Sequence, residues 1–352
     1  MIFENSWHGI TKNSCNCCMT KPVISNNMER VARKLFTDLD AQKNFCEALI
    51  AESSKRTAVA WINEASNTPS FHVDSAEKPQ WIPEWIDIVG AEEQPGISTE
   101  HQGGKIYCLD LSSVFALAPL FSLSANEVKD EINLVIDMCA APGGKGIVSW
   151  RNFKPQLIVA NEVMNKRTAA LISNYKRCSI APSMITSCDP GLLASLVSAV
   201  ADLVIVDAPC SGQSLLVKGM PAPGAFHRAT IALNERRQRR ILANSASLVR
   251  PGGYLLYATC TFSIEENEKN MDWFCKTFPD FATVPVDTLA DFSSPHGRGN
   301  SYRLFPQHGY GAGAFACLLK RSGEAGSMPI NERVAQVVSS VRAMWSAEVA
   351  TG

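Results

Sequence analysis

From Glu131 to Ala258 the chain alternates apolar, strand-like runs with stretches of helical periodicity. The runs Ile132–Met138, Leu157–Asn161, Met184–Ser187, Leu203–Val206 and Tyr254–Ala258 are separated by Lys145–Asn152, Lys166–Arg177, Gly191–Val200 and Ile231–Val249. Five such repeats predict an α/β fold with a doubly wound, mostly parallel sheet. Ligands of such sheets gather beyond the carboxyl ends of the strands. The residues that close each run are therefore the candidates for function. After a further helical stretch, Glu265–Phe278, the runs Phe281–Val286, Tyr302–Phe305 and Phe315–Leu319 read as closing strands, antiparallel to the core.

The first run ends in Asp137 and leads into Met138, Cys139, Ala140, Ala141, Pro142, Gly143, Gly144 and Lys145. Small residues there let backbone approach a ligand at a helix N-terminus. The spacing matches neither Gly-x-Gly-x-x-Gly nor a P-loop, which disfavours a pyrophosphate cradle. Taken alone, the turn is equally a tight strand–helix connection. The second run ends at Glu162, an acid placed to accept both hydroxyls of a ribose. The third ends at Asp189, able to contact an adenine amino group. Any one of these acids could be a helix N-cap. Together they describe an adenosine pocket without a phosphate site.

Two cysteines close the last two runs: Cys210 in Asp207-Ala-Pro-Cys-Ser-Gly, and Cys260 after Tyr257-Ala-Thr. Neighbouring parallel strands lie ~5 Å apart, so these thiols converge if the runs are sheet neighbours. Two thiols beside the acid Asp207 point to covalent chemistry on an electrophilic carbon, because thiolate is a strong nucleophile near neutral pH. The chain reads as an enzyme.

The remaining sequence sets bounds. Its 352 residues suffice for two domains, or for one large domain with an extension. The 12 cysteines are scattered, Met1–Thr20 lacks an apolar signal core, and no run approaches a membrane span. The expectation is a reduced, cytoplasmic protein. Cys15, Cys17 and Cys18 have no partner pair at zinc-ribbon spacing, so no metal is expected. A net charge of −1 neither demands nor excludes a polyanion. Arg228, Arg236, Arg237, Arg239 and Arg240 form a basic run broken by Glu235; it is either a solvated face or a phosphate-contacting one, and its place between the thiol motifs favours the latter. Asn27–Ala51 has helical spacing, and Thr57–Ile62 is β-like. Trp81 and Trp85 could stack on bases, although a pair spaced by four more often packs. Residues 322–352 read as a loosely attached polar tail with a short helix.

Taken in order, these motifs resemble one family. Asp137-x-Cys139-Ala-Ala-Pro-Gly-Gly-Lys145, Asn161-Glu-Val-x-x-x-Arg167-x-x-x-Leu171-x-x-Asn174-x-x-Arg177, Asp207-Ala-Pro-Cys210-Ser-Gly and Thr259-Cys260-Thr are similar to the Nol/Nop/Sun (Sun/Fmu-like) RNA cytosine C5-methyltransferases. So are Gln238-x-x-Ile-Leu ahead of Pro251-Gly-Gly-Tyr, Tyr107-x-x-Asp110-x-Ser-Ser, Arg303-x-x-Pro306 and Gly313-Ala-Phe315. The likeness runs from about residue 100 to 320.

The resemblance implies a class I methyltransferase domain over 101–321. It also implies a smaller N-terminal α+β extension over 1–100 that contacts RNA, and S-adenosyl-L-methionine as methyl donor. Residues 139–145, Glu162, Arg167, Asp189 and Asp207 fall on donor-binding positions. Cys260 falls on the nucleophile and Cys210 on a second, product-releasing thiol. Cytosine C5 is too electron-poor to attack a sulfonium methyl until a thiolate adds at C6, with Asp207 serving N3 through a raised pKa or a shared proton. Three departures stand out: Gly146 where many relatives have Thr or Ser, a change a helix start tolerates; Ser214 and Val217 where they often have Gly and Arg; and Trp61 where they commonly have Arg. The implied substrate is ribosomal RNA, with tRNA as the alternative, and the implied state is a monomer. A DNA cytosine methyltransferase would lack the Thr-Cys motif carrying Cys260. A catalytically idle RNA-binding assembly factor would be expected to have lost Cys260 or Asp207.

Overall fold

The computed structural model describes residues 23–51, 57–63, 69–74, 76, 78–125, 132–324 and 328–349. Its first elements are two helices, α1 (Asn26–Leu35) and α2 (Leu39–Ile50), capped by Ser25 and Asp38. Met28, Val31, Ala32 and Leu35 recur at helical spacing and bury one stripe of α1. A small antiparallel sheet follows: β1 (Thr57–Trp61) between β2 (Ile86–Val89) and, after the short α3 (Thr99–Gln102), β3 (Ile106–Asp110). Thr57 pairs with Asp110 and Trp61 with Ile106, so this sheet runs across the boundary expected at residue 100.

Helix α4 (Leu111–Ala125) leaves β3 directly and lies against the main sheet. Leu111, Val114, Phe115, Leu117, Ala118 and Leu120 are all buried. A helix apolar on every side has no polar face to betray its period, and none was expected here.

The main sheet alternates with helices in the order β4 (Leu134–Asp137), α5 (Gly144–Phe153), β5 (Leu157–Asn161), α6 (Asn165–Arg177), β6 (Ser183–Thr186), α7 (Pro190–Leu196), β7 (Ala201–Asp207), α8 (Arg228–Leu248) and β8 (Val249–Thr259). Then come α9 (Glu268–Thr277), β9 (Phe281–Thr283), β10 (Tyr302–Leu304), β11 (Ala314–Arg321), α10 (Ile330–Ser340) and β12 (Trp345–Ala347). The spatial order is β10-β11-β8-β7-β4-β5-β6-β12, with β9 also on β11. Strands β8-β7-β4-β5-β6 are parallel, and β9 to β12 are antiparallel additions. Successive residues of β4 face opposite layers: Leu134 and Ile136 join the core under α8 and α9, Val135 the core under α4 and α5. Strand order reverses between β4 and β7, the switch point at which such sheets open a crevice.

Residues 322–352 are not loosely attached where they are described. Helix α10 buries Val337, and β12 extends the sheet on β6. Arg333 gives the segment its polar look, yet its guanidinium is buried and donates to Val200 O at 2.7 Å and Asp202 Oδ1 at 2.8 Å. Asp202, fully buried, also pairs with Arg250 and accepts the N–H groups of Asn133 at 2.9 Å and Leu134 at 2.7 Å. Asp202→Ala strands two guanidinium groups and two backbone donors. Removing one partner of a buried ion pair costs about 3–5 kcal/mol, so a loss of that size is expected in denaturant unfolding, with proteolysis in α10 appearing first. A loss below about 1 kcal/mol, the level of an exposed pair, would remove Asp202 from this role.

Candidate active site

Strand β4 delivers Asp137 to the switch point, and Cys139, Ala140, Ala141 and Pro142 bend back toward α5. Gly143 caps α5 at φ 116°, a left-handed conformation that favours glycine. A Cβ on Gly144 would lie 2.9 Å from Leu109 and 3.0 Å from Tyr107. The loop is held from α6: Asn174 Nδ2 donates to Pro142 O at 2.8 Å, and Arg167 donates to Ala141 O. A cavity of about 200 Å³ opens between this loop, Asp137, Lys145 and Asp207 on one side and the end of β3 on the other.

The expected adenosine acids are not equivalent. Asp137 lines the cavity and is fully buried; Oδ1 accepts from Cys139 N at 3.3 Å, and Oδ2 has no hydrogen-bond partner. Burial, reinforced by Asp207, pushes its carboxyl up to about 7. Glu162, buried at the tip of β5, accepts from Met164 N at 2.9 Å; its Oε2 lies 3.1 Å from Arg167 Nη1 yet makes no hydrogen bond. Arg167 therefore braces both Glu162 and the loop. Asp189 caps α7 through Gly191 N at 2.8 Å and pairs with Arg240 at the surface. Glu162, Arg167, Gly143 and Asp189 do not line the cavity.

The thiols do converge. Strands β7 and β8 pair in parallel with Asp207 opposite Ala258, and Cys210 Sγ lies 3.1 Å from Cys260 Sγ. The hydrogen bond between them holds the Cys260 thiol below its ordinary value; burial opposes this and Lys145 assists. The same bond and burial hold Cys210 well above it. Lys145 turns from the loop to donate to Asp207 Oδ2 at 2.8 Å. Burial acts to lower Lys145, but Asp207, with Cys260 and Asp137, outweighs it and keeps the ammonium raised.

Two participants were not anticipated. Lys218, 3.7 Å from Asp110 across the cavity, sits in a loop without motif character; only its nearness in sequence to Cys210 could have drawn notice. Tyr175 answers the Gly146 departure. A Cβ at residue 146 would lie 2.3 Å from Tyr175 Oη and 3.2 Å from Asp137 Oδ2, so this helix start tolerates only glycine as the chain stands. The tyrosine hydroxyl, buried without a partner, fills the space of a residue-146 side chain.

The tryptophans and the departures from the family pattern are mostly packed into the fold, and the basic run is partly paired and partly exposed. Trp61 is buried, stacks on Phe71 and donates to Asp87 at 2.8 Å; Trp81 is buried edge-on against Phe115. Trp85 is half-buried, with Arg151 over its ring. On α8, Arg239 pairs with Glu235 and Arg240 with Asp189 at the surface, while Arg228, Arg236 and Arg237 are exposed. Ser214 is buried with its N–H on Cys260 O at 3.1 Å, and Val217 packs with α1 and α2. The group Cys15, Cys17 and Cys18 lies outside the described residues. Among those residues no helix is long and apolar enough to cross a membrane.

A doubly wound sheet with a small-residue loop at its switch point and antiparallel closing strands is the class I methyltransferase architecture. Residues 124–320, more than half of the chain, match the family described as 16S rRNA methyltransferase RsmB/F, and the chain belongs to that family. Ribosomal RNA small subunit methyltransferase F of Pectobacterium atrosepticum is 28% identical over 257 residues, which are 71% of this chain and 52% of the relative. The chain thus spans about half the length of the curated relatives it matches. The crystal structure of PH0851 superposes with a TM-score of 0.68 at 25% identity, over 86% of this chain and 70% of its own. A methyltransferase homolog protein from Pyrococcus horikoshii shares the fold with a TM-score of 0.63 at 22% identity, over 84% and 99% of the two chains.

Asp137 makes stability depend on pH. Its carboxyl moves from 3.8 in the unfolded chain to about 7 in the fold. Between those values the folded chain keeps a proton that the unfolded chain has released, so stability falls as pH rises. Asp137→Asn abolishes that titration. The melting temperature of ligand-free D137N is expected to gain on the parent as pH rises from about 4 to 7, and to run parallel above. Parallel curves throughout would show that Asp137 is ionised in the fold.

Proposed function

We propose that the protein is an RNA (cytosine-C5)-methyltransferase using S-adenosyl-L-methionine, with small-subunit ribosomal RNA as its substrate. The observation that carries this reading is the pair of thiols 3.1 Å apart beside the Lys145–Asp207 pair at the switch point. The names of its relatives support the substrate.

The residues fit the donor. Asp137 Oδ2 and Glu162 Oε2 are buried oxygens without a hydrogen-bond partner at neighbouring strand tips. In this reading Asp137, the loop 139–145 and Glu162 hold the donor, and Arg167 keeps Glu162 and the loop in place. Asp189, as an exposed cap, contributes at the rim. Bound there, S-adenosyl-L-methionine supplies an electrophilic methyl group.

Cys260 loses its proton more readily than Cys210, and its thiolate adds to cytosine C6. The electron pair displaced from the C5–C6 bond moves into the ring as N3 takes up a proton. The hydrogen-bonded Lys145–Asp207 pair holds that proton and shares it, which answers the need for a proton at Asp207. C5 is then enamine-like, the carbon nucleophile that an electrophilic methyl group held by the loop 139–145 would require. A water molecule acting as base then takes the C5 proton, N3 returns its proton to the Lys145–Asp207 pair, and the C5–C6 double bond reforms as the S–C6 bond breaks, with Cys210 giving the departing thiolate a hydrogen-bond donor.

Cys260→Ala is expected to abolish methyl transfer while calorimetric donor affinity stays within a few fold. Cys210→Ala should accumulate a protein–RNA adduct that survives denaturant. Methylation by C260A above a no-enzyme control would overturn the mechanism. Glu162→Ala should weaken donor binding about tenfold or more, the effect of a lost charged hydrogen bond; unchanged affinity would return Glu162 to a structural role. Labelled donor with total RNA from a strain lacking the gene settles the substrate. Label confined to 16S rRNA is expected, and label in tRNA instead would displace the ribosomal assignment.

A further inference from the structure

The two thiols sit on separate loops, one after β7 and one after β8. Loops do not hold sulfurs 3.1 Å apart unless something fixes both. The hydrogen bonds that do so converge on Glu266, which is fully buried. Its Oε2 accepts from Ser211 N at 2.9 Å and from Gln238 Nε2 at 2.9 Å. Its Oε1 accepts from the Ser211 hydroxyl at 2.5 Å and the Thr261 hydroxyl at 3.3 Å. Ser211 follows Cys210, Thr261 follows Cys260, and their hydroxyl oxygens lie 2.8 Å apart. Glu266 is anchored in turn, its own carbonyl accepting from Tyr257 Oη at 2.6 Å and Asn270 Nδ2 at 3.1 Å.

We propose that Glu266 is a positioning residue for the thiol pair: a single carboxylate grips the residue that follows each cysteine and so sets the separation and orientation of the two sulfurs. An acid is costly in such a place, since an apolar side chain would avoid its desolvation. Here both oxygens are used, and each spans the two loops or ties them to α8. The inference rests on reading Cys210 and Cys260 as the reacting pair, but its physical content, a fixed dithiol, does not depend on RNA.

The acceptors needed distinguish Glu266 from a space-filler. In Glu266→Gln the amide oxygen can serve Ser211 N and Gln238, while the amide nitrogen donates to the Ser211 and Thr261 hydroxyls, which accept as readily as they donate. Glu266→Ala removes both grips. Phenylarsine oxide reads the spacing directly. Its trivalent arsenic exchanges oxygen for two sulfurs, each thiol giving up its proton as one water leaves, with no change of oxidation state. A bridged pair is protected from iodoacetamide, and mass spectrometry of the Cys210 and Cys260 peptides reports that protection separately from the other cysteines.

The full-length parent and E266Q are expected to protect both peptides at similar arsenical concentrations. E266A, still folded by its melt, should need about tenfold more, as for loss of one or more buried hydrogen bonds. Methyl transfer should fall about a hundredfold in E266A, the effect of a misplacement near 1 Å, and recover within a few fold in E266Q. If E266A does not fold, Ser211→Ala with Thr261→Val removes the side-chain grips while keeping the acid, and should show the same loss. Protection in E266A or the double variant equal to the parent's would overturn the proposal. So would a parent protein that the arsenical does not bridge. A protein that methylates no RNA yet shows the Gln–Ala difference would sink the functional reading and leave the positioning role standing.

Discussion

The parallel hydrogen bonding of β7 to β8 decides where the chemistry can be. Asp207 lies opposite Ala258, so both strands end at one level and the cysteines beyond them meet. That register is set at the opposite end of the pair. Ala201 faces Val249 and Leu203 faces Tyr254, so β8 carries three extra residues where β7 advances by two. Gly253 lies within this irregularity, where a Cβ would come within 3.0 Å of three backbone carbonyl oxygens. A side period of two means that a slip of one residue would turn each inward side chain outward. The irregularity at Pro251-Gly252-Gly253 thus lies where the register is set that brings Asp207 opposite Ala258 at the far end of the pair.

The two ends of the sheet hold their buried carboxyl groups differently. At the amino end of β7, Asp202 has two guanidinium partners and two backbone donors, and it draws the last described helix onto the core. At the carboxyl ends, Asp137 and Glu162 each keep an oxygen without a hydrogen bond, and Lys145 is the cation paired with Asp207. Satisfied groups stabilise and unsatisfied ones wait for a partner. The cavity lies at the unsatisfied end.

Much of this was legible in the chain. The strand–helix alternation and the two cysteines after apolar runs foretell the sheet and the meeting of Cys210 with Cys260. Periodicity failed for α4, which is apolar on all sides; the short helix of the tail was expected, but its docking was not, because the buried Arg333 looks like a solvent residue. The N-cap reading of Asp189 is open in the sequence and is the one the fold takes, through Gly191 two residues on, whereas position along the chain could not show that Lys145 swings from its loop to Asp207, a partner distant in sequence. The basic run on α8 leaves a solvated face and a phosphate-contacting one both open in the sequence, and in the fold Arg239 and Arg240 pair with carboxylates of the protein itself. Glu266 carries no sequence signal of its hub role; an acid at the start of a helix ordinarily suggests a favourable charge there.

Gly146 and Tyr175 share one small volume beneath the loop 139–145, claimed by a hydroxyl that reaches in from α6 and not from α5. Either helix can furnish that oxygen, but not both together. Adding a side chain at 146 collides with the ring, and trimming residue 175 alone opens a hole beside the buried Asp137. The two arrangements are therefore separated by an intermediate worse than either. In this chain neither site is free to vary alone: a side chain at 146 needs the hydroxyl at 175 removed, and removal of that hydroxyl leaves a space that only a side chain at 146 refills.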